Sequence, residues 1–137
     1  MAGDIFLEVV TPEKIVVSED AQMVVAPGTE GEFGALVGHT PFLTTLQTGA
    51  IRYIDNAGKE RSIFVSGGFA ETLPDKVTVL AESAERRRNI DVTRAEAAGK
   101  RAEVFLAEDR KKEEINFARA KLALERSIRR IAIAKTK

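Results

Sequence analysis

The 137-residue chain has no cysteine, a single histidine and no apolar run of the ~18–20 residues that a bilayer-spanning helix needs. Without cysteine there is no disulfide scaffold, thiol nucleophile or Cys-ligated metal, and a reducing compartment fits. Without the apolar run, no helix crosses a membrane by itself, so no direct membrane insertion is expected. Met1-Ala2-Gly3-Asp4 is not a basic stretch leading into an apolar one, so no secretory signal is expected. No tandem repeat, low-complexity tract, Gly-x-Ser-x-Gly elbow or nucleophile–base pair appears, so no catalytic residue is assigned and no self-contained enzyme is expected. What is present is 44% hydrophobic residues, enough for a core and too many for a wholly disordered chain.

Formal net charge is also absent: 21 Lys+Arg meet 21 Asp+Glu. The zero is made of two opposite halves. Residues 1–85 hold 5 Lys+Arg and 13 Asp+Glu, a balance of −8, and residues 86–137 hold 16 and 8, a balance of +8. All four prolines and nine of the ten glycines precede residue 86; only Gly99 follows it. The second part is rich in Ala, Arg, Lys and Glu, good helix formers. Composition therefore predicts a turn-rich domain over 1–85 and a helical piece over 86–137.

Short β-branched or apolar runs (5–10, 14–17, 22–26, 42–46, 50–54, 62–65 and 76–81) alternate with Pro-, Gly- or Asn-containing turns in the first part. Asp55-Asn56-Ala57-Gly58 is a good hairpin loop. Many short strands at such spacing predict a β-sandwich or barrel.

The second part predicts two helices. Asp91 is an N-cap candidate, with Thr93-x-x-Glu96 a competing capping box. Ala95, Ala98, Ala102 and Phe105 make a narrow stripe of mostly small residues. The charged run 108–114 is the expected bend. On the second helix Phe117, Leu124, Ile128 and Ile131 mark the expected apolar side, with Ile115, Ala118 and Leu122 beside them. Small residues on the first helix permit close approach, so an antiparallel helical hairpin is expected, marginally stable without something to pack on.

Gly28-Thr29-Glu30-Gly31-Glu32-Phe33-Gly34 has the glycines of a phosphate loop, but strands flank it and two glutamates would repel an anion. Turn glycines are the better reading. His39, alone, lacks the spacing of a metal or catalytic site, and no metal is expected. The basic second half lacks interleaved aromatics and a recognition-helix pattern, which argues against nucleic acid. Arg119, Arg126 and Arg130, seven and four apart, line one strip of the second helix; Arg94 and Arg101, seven apart, line one strip of the first. Antiparallel packing would gather these guanidinium groups, leaving a solvated face or a bidentate anion site as the two readings.

Several segments, in order, resemble the epsilon subunit of bacterial F-type ATP synthases over essentially the whole chain: Val9-Val10-Thr11-Pro12, residues 30–41 (EGEFGALVGHTP), residues 65–71 (VSGGFAE), residues 77–81 (VTVLA) and residues 90–95 (IDVTRA). Val37 departs from the proline that usually precedes Gly-His there.

The resemblance implies a ten-stranded β-sandwich followed by a two-helix hairpin, in a non-catalytic rotor subunit of the central stalk. It implies docking of the sandwich on the gamma subunit and the c-subunit ring, with Glu32, Gly38 and His39 at the contact edge. It implies an inhibitory arm whose Arg119, Lys121, Arg126, Arg129, Arg130 and Lys135 face the beta subunit of the alpha–beta ring. Some members bind regulatory ATP on the folded hairpin, at positions matching Glu85, Ile90, Asp91, Arg94, Ala95, Arg101, Arg119, Arg126 and Arg130. No cofactor is required. The implied location is peripheral, on the cytoplasmic face of a bacterial membrane. A stand-alone ATP-sensing module is the rival reading.

Overall fold

A computed structural model describes residues 3–108 and 114–136. Of the expected bend, residues 109–113 lie outside the described residues. The chain divides into two units between Arg87 and Arg88.

The first unit has nine strands: β1 (Ile5–Val10), β2 (Ile15–Gly28), β3 (Gly31–Ala35), β4 (Phe42–Thr45), β5 (Gly49–Asp55), β6 (Glu60–Ser66), β7 (Phe69–Thr72), β8 (Lys76–Leu80) and β9 (Ser83–Arg86). They form one hydrogen-bonded path, β4-β7-β8-β1-β2-β5-β6-β9, with β3 added beside β2. Every pair is antiparallel except β1 with β8. One face of each strand puts Ile5, Leu7, Val9, Val77 and Val79 from one half, and Ile51, Tyr53, Ile63 and Val65 from the other, into a single buried cluster, while on β6 Phe64 is buried as well. The sheet therefore closes on itself as a sandwich around one core.

The described residues hold nine strands where ten were expected. No glycine or proline interrupts residues 15–26, so two expected runs fuse into the 14-residue β2. Its first half pairs with β1 and its second with β3, and the register shifts between Ala21 and Met23 where it pairs with β5. One long, irregular strand thus does the work of two.

The β5–β6 hairpin forms where its turn residues predict. Asp55 Oδ1 accepts from the backbone N–H groups of Ala57 at 3.0 Å and Lys59 at 2.9 Å, and Oδ2 accepts from Arg61 Nε at 3.1 Å. The Lys59 bond first, aided by Arg61, holds the Asp55 carboxyl below its ordinary pKa. At the β6–β7 turn, a Cβ on Gly68 (φ 99°) would lie 2.0 Å from the Leu80 carbonyl oxygen, so only glycine fits.

Three polar side chains meet at the core boundary. Tyr53 donates its hydroxyl hydrogen to Glu19 Oε1. Arg86 Nη1 donates to the Tyr53 hydroxyl at 3.2 Å, and Arg86 Nε to the Val16 carbonyl at 3.1 Å. The trio ties β9 back to β2 and β5. Burial, reinforced by the Glu19 bond, pushes the Tyr53 hydroxyl up to about 12.

A short 3-10 turn (Arg87–Asn89) precedes α1 (Val92–Ala107) and α2 (Glu114–Lys135). Asp91 is the N-cap of α1: its backbone is extended and its Oδ1 accepts from Arg94 N–H at 3.0 Å. The helices run antiparallel, since Ser127 of α2 bonds Ala95 of α1 while Phe105 of α1 shares a cleft with Asn116, Arg119, Ala120 and Ala123 of α2.

The contact faces are small on both sides along the middle of the seam, and Ile133 near the end of α2 is the one large side chain buried on that helix among its described residues. Ala95, Gly99 and Ala102 are buried on α1. On α2 the facing strip is Ala120, Ala123 and Ser127, whereas Ile115, Phe117, Leu122 and Ile128 stay exposed. The expected apolar side of α2 is therefore corrected: Leu124 and Ile131 are half-buried, but Phe117 and Ile128 are not part of the seam. Large side chains would hold the helices apart, so the strip of least volume is the one that packs.

Candidate functional site

On the sandwich, the chain between β2 and β4 builds one edge. Gly28 pairs with Gly31 across Thr29-Glu30, a two-residue hairpin turn that leads into β3 and no helix, which disposes of the phosphate-loop resemblance. Alternation along β3 sends Ala35 and Phe33 toward the core and Glu32 outward. Glu32 is exposed and pairs with Arg52 of β5, Oε1 to Nη2 at 2.8 Å. Gly38 lies in the exposed loop, where its N–H donates to the Pro74 carbonyl at 2.6 Å. His39 N–H donates to the Leu36 carbonyl at 3.0 Å, and its ring Nδ1 is 2.6 Å from the Thr40 carbonyl oxygen.

His39 stands 6.5 Å from the Phe42 ring, and Phe42 meets Phe33 edge to face at 5.2 Å. The edge thus brings Gly38 and His39 together with the aromatic side of β3. It places Glu32 on the opposite face of that strand, bound to Arg52. Leu36, Val37, Phe42 and Leu43 are exposed around it.

A second surface was not read from the sequence because β7 went unrecognised there. Phe69 pairs with Thr45 on one side and Leu80 on the other, and Leu80 pairs with Val10. Since paired residues share a face, Phe69, Leu80 and Val10 form a row across β7, β8 and β1, with Leu43 one step along β4. Leu43 is 65% exposed, Phe69 44% and Leu80 43%. Ala70, Thr72, Val77 and Val79 fill the opposite face. The outer face here therefore carries an apolar row as well, flanked by a rung in which Leu43 meets Glu71, Thr78 and Glu8, an apolar strip with a polar border that suits an interaction surface.

In the second unit, Arg101 borders Phe105 in one cleft and Arg119 borders it in another. Phe105 thus stands between the arginine strips of the two helices, which lie on one side of the hairpin. Arg126 and Arg130 continue the α2 strip, half-buried, and Arg94 begins the α1 strip, exposed. Ile90 and Ala95 are buried and Asp91 is occupied as the helix cap. Glu85 sits on β9 in the first unit. Lys121, Arg129 and Lys135 are exposed on α2 but off the strip by helical spacing. Guanidinium groups along two such strips would suit a polyanion with bidentate oxygens. Among the described residues there is no metal-ligating cluster and no helix long and apolar enough to cross a membrane.

These features define a two-part protein that presents surfaces: a sandwich with an apolar outer face, and a small-residue hairpin edged with arginine. Two family descriptions match in tandem, the beta-sandwich domain of the ATP synthase delta/epsilon chain over residues 4–87 and its long alpha-helix domain over residues 88–135. The chain belongs to the delta/epsilon chain family of ATP synthases.

A relative from Desulforapulum autotrophicum, 59% identical over 137 residues and covering 100% of both chains, is an ATP synthase epsilon chain. Another, from Nitratidesulfovibrio vulgaris, has the same name and is 51% identical over 133 residues, 97% of both chains. Among solved structures, a chain of the Euglena gracilis mitochondrial ATP synthase superposes with a TM-score of 0.80 at 23% identity, covering 94% of this chain and 80% of that one, a likeness of fold.

Proposed function

We propose that the chain is the non-catalytic epsilon subunit in the central stalk of a bacterial proton-translocating F-type ATP synthase, peripheral on the cytoplasmic face of the membrane. The observation that carries this is the outward apolar row of Phe69, Leu80 and Val10, with the exposed Leu43 one rung away, on a sandwich of this family. A monomer has no use for a second apolar sheet face, so the row is assigned to the gamma subunit. The adjoining edge of Glu32, Gly38 and His39 is assigned to the c-subunit ring, whose basic loops suit the acidic sandwich.

The hairpin is the regulatory element. Its seam is built largely of small residues, which bury little area and leave the closed hairpin marginal. Extended, α2 would offer Arg119, Lys121, Arg126, Arg129, Arg130 and Lys135 to an acidic segment of the beta subunit and block ATP hydrolysis. Folded, the strip of Arg94, Arg101, Arg119, Arg126 and Arg130 with Phe105 would take the phosphates of a regulatory ATP. Glu85, Ile90, Asp91 and Ala95 belong to the same assignment. A ligand that binds only the folded state favours it by ~2.7 kcal/mol at a hundredfold excess over its Kd, enough to reverse a marginal equilibrium.

The test is purification of the complex from the source membrane with alpha, beta and gamma, together with truncation after Asn89. That cut keeps Arg86 and all of β9. The expected result is co-purification, with membrane ATPase activity released by the truncation. A chain that runs alone and binds Mg-ATP by calorimetry would instead be a stand-alone sensor. Unchanged ATPase activity would remove the inhibitory role.

A further inference from the structure

Arg52 lies on β5 between two carboxylates on different strands. Val25 of β2 pairs with Gly34 of β3 on one side and with Arg52 on the other, so the arginine reaches across β2 to Glu32. On its far side, Glu60 of β6 stands opposite Ile54 of β5, and Arg52 Nη1 is 3.9 Å from Glu60 Oε1. Residues 52 and 54 of one strand share a face, so all three charged side chains point outward from the sandwich. Their side chains are 43%, 55% and 63% exposed for Arg52, Glu32 and Glu60. One guanidinium with two usable edges thus serves two acceptors, one closely and one loosely.

We propose that Arg52 masks the docking edge: in the free chain it occupies the Glu32 carboxylate, and on docking it passes to Glu60 while a cation of the basic partner surface takes Glu32. The inference rests on the reading of this edge as the ring-facing one. Exposed ion pairs are weak, so the Glu32–Arg52 pair exchanges readily. Exchange alone would leave a freed guanidinium facing the partner's own cation, a like-charge contact that opposes docking. Glu60 removes that opposition because it already stands where the arginine must go.

The test measures binding of the full chain, together with gamma, to the isolated ring of membrane subunits from the same source across a range of NaCl concentrations. Glu60→Gln is expected to weaken binding by roughly two- to fivefold, because the released arginine then has no acceptor. Arg52→Gln is expected to tighten it by a similar factor and to steepen its salt dependence, since Glu32 is then free from the start. In the Arg52→Gln background, Glu60→Gln should have almost no effect.

Equal effects of Glu60→Gln in both backgrounds, or weaker binding by Arg52→Gln, would overturn the exchange. Glu32→Gln separates the two levels. If it leaves ring binding unchanged, the docking assignment fails; if it weakens binding while the Arg52–Glu60 coupling is absent, only the exchange fails. None of the three side chains is buried, so an unchanged unfolding midpoint is the control for folding.

Discussion

Gly99 and Ser127 face each other across the seam of the hairpin: a Cβ on Gly99 would stand 2.3 Å from Ser127 Oγ and 3.2 Å from its Cβ. The buried Ser127 hydroxyl is already committed, donating to the Ala95 carbonyl at 2.7 Å. A glycine within a helix, normally a cost of ~1 kcal/mol against alanine, is here the residue that admits the partner helix.

The pair makes a double-mutant prediction. Gly99→Ala pushes Oγ off its bond and should destabilise the folded hairpin by about 1–3 kcal/mol despite the better helix propensity. Ser127→Ala alone should cost about 1 kcal/mol, the net worth of one buried hydrogen bond. Combined, they should cost less than Gly99→Ala alone, because only the 3.2 Å contact remains. Hydrogen exchange of α1 amides in the full chain reads this out, and purely additive losses would refute the clash.

Tyr53 makes the sandwich sensitive to alkali. Its ordinary value of 10.0 is raised to about 12 by burial and by the bond to Glu19. A raised value in the folded state means the contribution is complete below pH 10 and is lost as pH rises through 12. The loss is on the order of 2–3 kcal/mol. Tyr53 is the only tyrosine, so tyrosinate absorbance and denaturant midpoints can be followed together. In Tyr53→Phe the excess loss of stability between pH 10 and 12 should vanish.

Charge reversal at Arg126 and Arg130 is expected to weaken Mg-ATP binding by at least tenfold, about 1.4 kcal/mol, by replacing bidentate donors with repelling carboxylates. The same change should relieve inhibition of ATP hydrolysis in the assembled enzyme. Calorimetry and ATPase assays check the two arms; no change in either would end the shared use of that strip.

Lysine at Phe69 or Leu80 should leave the chain folded, since both side chains are on the outer face, 44% and 43% exposed. Recovery with gamma should fall sharply, because a charge would be desolvated in the contact. Pull-down of gamma with the full-length variant is the measurement. Undiminished recovery would move the gamma surface elsewhere.

The two-part organisation was legible in the sequence because proline, glycine and charge all change near residue 86. The Asp55 hairpin and the Asp91 cap were legible because each rests on a local side-chain-to-backbone bond. β3, β7 and β9 were not, because Gly-Glu-Phe-Gly-Ala, Phe-Ala-Glu-Thr and Ser-Ala-Glu-Arg hold a single β-branched residue among them and take strand form from their neighbours. The seam of α2 was misjudged for a related reason: apolar periodicity ranks side chains by hydrophobicity, whereas Ala95, Gly99 and Ala102 select a partner strip by volume. The arginine strips followed from spacing alone. Arg52 did not, because its two acceptors come from other strands.

The parallel pairing of β1 with β8 bears on how the protein is made. Phe6 through Val10 cannot find Lys76 through Leu80 until most of the sandwich has left the ribosome, and Arg86 must then reach back to Val16. Such long loops make sheet closure the slow event. The hairpin joins residues nearer in sequence, so it can form quickly once synthesised. During translation β1 is thus an open strand with one edge unfilled, and that edge is where misassembly between nascent chains would begin.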